Sequence, residues 1–269
     1  MNRGYGYVAV AGPSRVAAAS RMKGTAVQPM TVDFLRGRRR KWLDSQDLEV
    51  LEQSLSAVRR VEARQTIVFA GDTLDQSTLL VEGYICRYMD DSHGHRQLIA
   101  VHVPGDFVDL HGYPLKCLDH NVATLSRVKI ANIAHTKIDV LVDRHVNLAR
   151  MMWFSTLLDA AMHRKWIFLL GRFDAAQRVS HFLCELNVRL QLVGLSNGRQ
   201  FDLPITQTDL AEICGMTSVH CNRVVAKLRQ QNLATFANGK VEIHDPVGVA
   251  RHCEFDPSYL YTDSECTTA

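Results

Sequence analysis

The stretch TQTDLAEICGMTSVHCNRVVAKLRQQ (residues 206–231) decides the fold of the C-terminal part of the chain. Thr206 followed by Asp209 has the spacing of a capping box, which predicts the start of a short helix. Gly215 ends this helix, because glycine readily adopts the left-handed conformation of a turn. Thr217 is placed to cap a second helix that runs to the end of the stretch.

The spacing of Ala211, Gly215, Cys221 and Val224 is typical of a helix-turn-helix. A small residue allows the helices to cross closely, the glycine forms the turn, and two apolar residues of the second helix pack against the first. In this register four side chains are predicted to point inward: Leu210, Cys214, Met216 and Cys221.

The same stretch contains three potential metal ligands, Cys214, His220 and Cys221. A structural zinc site usually takes paired ligands such as C-x₂₋₄-C, and no second pair stands nearby. We therefore interpret the two cysteines as small buried side chains, and we predict neither a metal nor a cofactor.

The opposite face of the second helix carries the predicted DNA contacts. Side chains on the first turns of such a helix reach base edges in the major groove, and Arg223 can form a bidentate pair with guanine, or Asn222 with adenine. A solvated helix face would explain the local positive charge but not the combined turn, spacing and caps. Phosphate contacts are predicted for Thr206, Thr208 and Lys240, and phosphate is an alternative partner for Asn222. The predicted DNA-binding residues are Thr206, Thr208, Thr217, Ser218, Val219, Asn222, Arg223, Lys227 and Lys240.

Lys240 belongs to a second local signal, LATFANGKVEIHD (residues 233–245). Asn238 and Gly239 between two β-rich runs are the strongest short hairpin signal. A hairpin directly after a helix-turn-helix predicts a winged helix with Lys240 near its tip.

Upstream, residues 64–135 are rich in short β-type runs, which suggests an antiparallel roll, barrel or sandwich. An amphipathic helix is predicted to precede it within residues 42–58, where leucines recur at helical spacing. The β-type runs are TIVFA, YICRYM, QLIAVHV, DFVDL, VATL and VKIANI.

The pattern then changes to helical, which predicts a long helix over residues 138–170 that ends at Gly171. This helix can pack on its own domain or against a second copy of the chain. Asp174 is placed to cap the next helix. The apolar positions of the long helix are Leu148, Met151, Leu158, Met162 and Leu169.

Charge separates the N-terminus from the rest of the chain. Residues 1–41 carry nine Lys and Arg residues and one acid, so the remainder is net acidic although the whole chain is +3. We expect a disordered basic arm, for which a transit peptide or a later start at Met22 or Met30 remain open. Seven cysteines without framework spacing favour a reducing compartment and a cytoplasmic protein, and no run is long enough for a membrane helix.

From about residue 42 onward the chain resembles the CRP/FNR family of bacterial transcription regulators. The similarity is carried by GYICRY, AVHVPGDFV, RFDAAQRVSHFLCEL, LPITQTDLAEICGMTSVHCNRVVAKLRQQNL and the late FDPSYL. It implies an α+β fold: an antiparallel β-roll of the cyclic-nucleotide-binding type, a long dimerisation helix and a C-terminal winged helix-turn-helix. The implied boundaries are a basic arm at 1–40, the roll at 41–137, the dimerisation helix at 138–171 and the winged helix at 172–269.

The resemblance also implies a function. We expect a homodimeric, non-enzymatic transcription regulator that binds double-stranded DNA at a pseudo-palindromic operator, with RNA polymerase as a further partner and a signal acting at the roll. The alternatives are a cupin-like metal enzyme, suggested by His93-Gly-His95, and a ligand-binding module whose winged helix contacts protein. A cupin requires a carboxylate where Ile99 and Ala100 stand, so its metal would lack a ligand.

The sensor region departs from the family pattern. Leu110 and His120-Asn121 stand roughly where cyclic-AMP-binding members carry an acid and an Arg-Ser or Arg-Thr pair, so we expect no tight cyclic-nucleotide binding unless Arg127 or Lys129 substitutes. No cysteine precedes Cys86, which argues against the N-terminal iron–sulfur centre of the oxygen-sensing branch. Val219 also replaces that branch's glutamate on the recognition helix, so the operator half-site should differ.

Two sets of residues remain as weak candidates for a signal. Cys86, Cys117 and Cys184 can sense oxidation only if they are exposed, and their apolar neighbours favour buried structural thiols. Five histidines crowd the roll region, where a haem or metal ligand competes with scattered structural roles: His93, His95, His102, His111 and His120.

Overall fold

An antiparallel β-roll, two consecutive helices and a winged helix follow one another in the computed structural model, which describes residues 28–263. The predicted α+β architecture is confirmed. The expected transit peptide, the alternative start at Met22 and the expected disorder of residues 1–27 lie outside the described residues.

The roll is built from seven strands: β1 (Arg59–Val61), β2 (Thr66–Val68), β3 (Gln76–Glu82), β4 (Ile85–Asp90), β5 (Arg96–His102), β6 (Asn121–Thr124) and β7 (Val128–Ala134). They form two antiparallel sheets with the strand orders β1-β7-β3 and β2-β6-β4-β5. We call the second of these sheets the reader-facing sheet, because the C-terminal part of the chain packs on it. Helix α1 (Ser45–Ser54) precedes β1, and the short helix α2 (Gly112–Leu115) lies between β5 and β6.

Three features of the roll differ from the sequence prediction. Strand β1 was missed, because the predicted β-rich region began only at residue 64. Strand β3 was missed, because its polar start resembles a turn, yet Ser77 and Thr78 are buried and pair with β7. The run DFVDL (residues 106–110) was predicted as a strand and is a turn instead. Its two carboxylates accept backbone hydrogen bonds, Asp106 from Val103 N at 3.0 Å and Asp109 from Thr78 N at 2.5 Å, which favours a bend. Only Phe107 pairs with β3, in an isolated bridge to Leu79.

The described end of the basic arm is ordered, contrary to the prediction of disorder up to residue 40. Phe34 and Leu35 are buried in the core beside the first sheet. The guanidinium of Arg40 donates to the carbonyls of Thr31 and Phe34 at 2.7 and 2.6 Å. The Arg40 side chain therefore stabilises the backbone turns of this segment by hydrogen bonding to their carbonyls. The amphipathic helix follows as α1 (Ser45–Ser54).

The predicted long helix is two helices, α3 (His135–Arg144) and α4 (Val146–Arg172). The backbone leaves the helical region at His145, and α4 ends one residue beyond Gly171. The apolar stripe predicted from the sequence faces the protein's own core: Leu148, Met151, Leu158 and Leu169 are buried and Met162 is half-buried.

The C-terminal part of the chain forms what we call the reader domain, residues 174–263. Asp174 caps its first helix in a capping box with Gln177, as expected. The strand β8 was missed within the segment interpreted as a turn. The elements are α5 (Ala175–Leu192), β8 (Gln200–Asp202), α6 (Gln207–Ile213), α7 (Ser218–Gln230), β9 (Ala234–Ala237), β10 (Lys240–Ile243), α8 (Pro246–His252) and a 3₁₀ turn (Pro257–Leu260).

The reader domain packs directly on the roll. Along β4, Ile85 and Arg87 point into the roll, whereas Cys86 and Tyr88 point outward into one continuous apolar core with the reader domain. One face of the reader-facing sheet is therefore covered by the rest of the roll, and the other face is covered by the reader domain. Within residues 28–263, no helix is long and apolar enough to cross a membrane.

His181 of α5 lies in the centre of the reader domain. Its ring is fully buried, packs against Trp166, Phe255 and Tyr259, and neither ring nitrogen has a hydrogen-bond partner among the described residues. Burial, aided by the nearby charge of Lys165, lowers the pKa of His181 to about 3.

Acid should destabilise the protein partly through this histidine. Because the pKa of His181 is lower in the folded state than the ordinary value of 6.5, its stabilising contribution is complete above pH 6.5 and is lost as the pH falls toward 3. Between pH 7 and 5 the loss from this residue should be about 2 kcal/mol. The variant His181→Phe should show a correspondingly weaker fall in the free energy of unfolding, measured by urea titration at each pH. His93→Phe, at an exposed position, is the control, and equal pH dependence in all three proteins would contradict the assignment.

Candidate nucleic-acid interface

The turn of the predicted helix-turn-helix has the expected geometry. Thr206 and Asp209 form the capping box of α6, and Thr217 caps α7 by accepting a hydrogen bond from His220 N. Gly215 adopts φ +62° between the two helices. These local interactions set the angle at which α7 leaves α6.

The underside of this unit is apolar, as predicted. Leu210, Cys214 and Cys221 are fully buried and Met216 packs half-buried against the same core. Burial raises the pKa of Cys221 to about 11 and raises that of Cys214 further, so both remain protonated thiols. His220 lies on the exposed side of α7 and points away from them. The three potential metal ligands of this stretch are therefore not brought together.

The outer face of α7 is open to solvent. Ser218, Val219, Asn222 and Arg223 are exposed, and so is Lys227 one turn further on. Arg223 has no ion-pair partner in the part of the chain that the structure describes. His220 and Arg229 share this exposed side, and the sequence prediction did not assign either to DNA binding. Their signal was helical spacing from the predicted face, because His220 precedes Arg223 by three residues and Arg229 follows Asn222 by seven.

The threonines at the start of α6 differ in what they offer. The hydroxyl of Thr206 donates to Asp209 Oδ2 at 2.7 Å and accepts from Asp209 N at 3.1 Å, so the cap occupies it. Thr208 is exposed and its hydroxyl accepts from Ser218 Oγ at 3.4 Å. Thr208 thus links the starts of both helices at the edge where phosphate contacts are expected.

The hairpin forms a wing with a third strand. Asn238 and Gly239 have φ values of 53° and 70°, which are those of a type I′ turn between β9 and β10. Strand β8 pairs with β10 on its other side. Leu203 N donates to Gly239 O at 2.7 Å, which fixes the tip beside the start of α6. Lys240 is exposed next to this tip.

The interior of the roll is filled by a charged side chain of the protein itself. Arg87 is 2% exposed and donates through Nη1 to Asp159 Oδ2 on α4 and through Nε to Val108 O, both at 2.6 Å. Asp159 is desolvated, which alone would raise its pKa, but the charge of Arg87 outweighs burial and lowers the pKa to about 2. Asp109 behaves oppositely, and burial raises its pKa to about 6.

Of the other sensor candidates, Arg127 and Lys129 lie apart from this ion pair, whereas His120 is near it, and burial together with the charge of Arg87 lowers the pKa of His120. Arg127 and Lys129 are at the surface, paired with Glu62 and Glu82 at 3.0 and 2.5 Å. Leu110 is buried in the core and His120 is paired with Asp119. Neither Arg127 nor Lys129 is thus placed to serve a phosphate in the roll.

The histidines of the roll region lie in two places, three of them near Arg87 and two on an exposed turn. His93 and His95 are on the exposed β4–β5 turn, where His95 pairs with Asp91, whereas His102 is buried and His111 packs on His120. Among residues 28–263, no group of three or more His, Cys, Asp or Glu side chains is arranged to hold a metal ion. Cys86 and Cys184 are buried with raised pKa values, as interpreted, but Cys117 is exposed.

Two family models match the chain over the roll and the reader domain. Residues 58–145 match the cyclic nucleotide-binding domain and residues 177–251 match the Crp-like helix-turn-helix domain. Curated relatives include the transcriptional activator protein FnrL of Cereibacter sphaeroides, 28% identical over 71% of this chain and 77% of that protein. The transcriptional activator protein FnrA of Stutzerimonas stutzeri is 22% identical over 77% of this chain and 84% of that protein.

Solved structures with the same fold include FixK2 from Bradyrhizobium japonicum, with a TM-score of 0.67 and 20% identity over 73% of this chain and 96% of that one. The c-di-GMP responsive regulator CLP of Xanthomonas campestris has a TM-score of 0.59 and 16% identity over 75% of this chain and all of that one. The chain belongs to the CRP/FNR family of transcription regulators. Its C-terminal unit is the DNA-binding helix-turn-helix domain of that family.

Thiol chemistry should distinguish buried cysteines from metal ligands. In the native protein N-ethylmaleimide should modify Cys117, whereas Cys214 and Cys221 should react at least about 100-fold more slowly, because little thiolate is present and access is blocked. The measurement is peptide mass spectrometry over a time course, with urea-unfolded protein as the reference and Cys117→Ser as the control. Rapid native modification of Cys221, or its protection only when zinc is added, would contradict the burial.

Proposed function

We propose that this protein is a sequence-specific DNA-binding transcription regulator that acts as a homodimer on a pseudo-palindromic operator. The observation that carries the proposal is the two-sided character of α7. Its underside is anchored by Cys221 and Val224 in the core, and its outer side offers exposed hydrogen-bonding and basic residues. A helix held in this way can enter the major groove without reorganising.

The proposed roles follow from exposure and from the bonds already made. Arg223 and Asn222 read base edges, with Ser218 and Val219 beside them for polar and apolar contacts. Thr208, Thr217, Lys227 and Lys240 contact phosphates. Thr206 contributes to DNA binding only indirectly. Its hydroxyl is used in the capping box with Asp209, which fixes the start of α6.

The proposed dimer uses a second apolar stripe of α4. This stripe is exposed, whereas the one predicted from the sequence faces the protein's own core. Val146, Trp153, Leu157 and Ile167 are 56%, 66%, 50% and 71% exposed. They recur at coiled-coil spacing along one side of the helix. Apolar side chains this exposed at this spacing are typical of a helix that pairs with a second copy.

The proposed control does not use a cyclic nucleotide, because the Arg87 side chain, which points into the roll, is already held by an ion pair with Asp159 on α4. The protein is proposed to act in the cytoplasm, as its unpaired cysteines suggest, and to contact RNA polymerase once bound. It is proposed to be a DNA-binding protein and not an enzyme. Any signal at the roll would act by favouring one arrangement of the two reader domains in the dimer.

Selection of bound sequences from a random double-stranded library tests the function. It should recover an inverted repeat with half-site centres about 10–10.5 base pairs apart. On this operator Arg223→Ala should lose about 1–3 kcal/mol of binding free energy and relax the preference at one position of each half-site. The measurement is fluorescence anisotropy on the selected operator and on single-base variants.

Arg229→Ala, at an exposed position in the last turn of α7, is the control for loss of charge. It should weaken binding uniformly across sequences. Recovery of no repeat from the library would overturn the function, and equal effects of Arg223→Ala and Arg229→Ala on sequence preference would overturn the assigned reading face.

The exposed apolar stripe on α4 leads to a separate prediction about the dimer. Leu157→Asp places charges opposite each other in an apolar interface, so light scattering should show a shift from twice the mass of the chain to the mass of one chain. Val140→Asp is the matched control, since Val140 is 48% exposed on α3, outside the stripe, and this variant should remain dimeric. A monomeric wild-type protein at micromolar concentration would contradict the proposed assembly.

A further inference from the structure

Arg64 links the roll to the capping residue of α6 across 145 positions of sequence. It stands in the turn between β1 and β2, and its guanidinium donates to both carboxylate oxygens of Asp209, at 2.6 and 2.7 Å. Asp209 is the residue that closes the capping box with Thr206. The same carboxylate therefore holds the start of the helix-turn-helix and the edge of the roll.

This carboxylate is held firmly in its charged form. Its side chain is 10% exposed, and burial alone would raise its pKa. The hydrogen bonds from Arg64 and Thr206 outweigh burial and keep the pKa of Asp209 below its usual value. A bidentate guanidinium–carboxylate pair fixes orientation as well as distance, because two parallel bonds resist rotation.

Gln97 makes a second connection at the other end of α6. Its side-chain nitrogen, on β5, donates to the backbone carbonyl of Glu212 and also lies 3.4 Å from the carbonyl of Ile213. These carbonyls are at the last turn of α6, where no further helical N–H is available to them. The roll thus contacts α6 at both ends.

The turn itself is also in contact with α4. A β-carbon on Gly215 would come within 2.9 Å of Leu170 Cδ2, so the turn approaches the long helix as closely as a glycine permits. Together with Arg64 and Gln97, this gives three separated contacts to α6 and its turn. The shared apolar core holds the reader domain against the sheet, and three separated polar and close contacts define the orientation of α6 within that packing.

We infer that Arg64 and Gln97 are positioning residues that fix the recognition helix relative to the roll and thereby set the half-site spacing that the dimer accepts. The inference rests on the proposed function. One base pair changes the separation of half-sites by about 3.4 Å and their relative rotation by about 35°. A reader domain held at both ends of α6 cannot follow that change, so the second half-site is lost.

The experiment compares the selected operator with versions that carry one base pair more or less between the half-sites. For the wild-type protein, affinity for the altered spacings should fall by about 100-fold, because simultaneous engagement of two sites is worth 10²–10⁴. In Arg64→Met the fall should shrink to about 10-fold or less, since the loosened reader domain reaches both spacings. Arg64→Lys should restore part of the discrimination, and Arg127→Met, which breaks a surface pair within the roll, should leave it unchanged.

The outcomes separate the competing explanations. If Arg64→Met lowers affinity equally for all spacings and reduces the salt slope by about one, Arg64 is a phosphate contact and the inference is wrong. If Arg64→Met does not fold, Gln97→Leu is the second variant, because it leaves the cap of α6 intact and should relax spacing in the same way. Unchanged discrimination in Gln97→Leu would then overturn the inference, whereas a wild-type protein that binds no operator would overturn the proposed function instead.

Discussion

The packing of the reader domain on the outer face of the reader-facing sheet organises the whole molecule. Cys86 and Tyr88 of the roll belong to the same apolar core as α5 and α6, so the two parts share a core and are not connected by a free linker. Burial of this kind is the dominant favourable term in folding, and separation of the domains would expose it. The orientation of α7 is consequently a property of the folded chain as a whole, and the residues proposed to read DNA lie on the side that this packing leaves open.

A feature of this fold could be predicted from the sequence when it depends on residues close together in the chain, and was missed when it depends on distant ones. The caps at Thr206 and Thr217, the turn at Gly215 and the Asn238-Gly239 hairpin are each set by a few neighbouring residues, and the sequence predicted all of them. Strand β3 was missed because Ser77 and Thr78 favour turns in isolation, and the pairing that holds them in a strand comes from the distant β7. The contact between Arg64 and Asp209 had no local signal, since the two residues are 145 positions apart.

The long helix shows a different limit. Its sequence contains two apolar stripes, and periodicity identifies apolar faces without saying what covers them. The stripe with the more regular leucines and methionines packs on the protein's own core, and the stripe that includes Trp153 and Ile167 is exposed. Only the position of the roll decides between them. The ordered segment before α1 is a similar case, because its arginines suggested a solvated arm but Arg40 is used to close backbone turns.

The ion pair between Arg87 and Asp159 constrains how the interior of the roll can change. Loss of one partner would strand an uncompensated charge in a dry environment, at a cost of about 3–5 kcal/mol, whereas exchange of both for apolar residues of similar volume is often neutral. The residues at positions 87 and 159 should therefore vary jointly among homologous chains. Each chain should carry either a salt bridge or two apolar side chains at these positions. A chain with the second combination would have an apolar chamber at the centre of its roll, and the kind of molecule it could admit would differ accordingly.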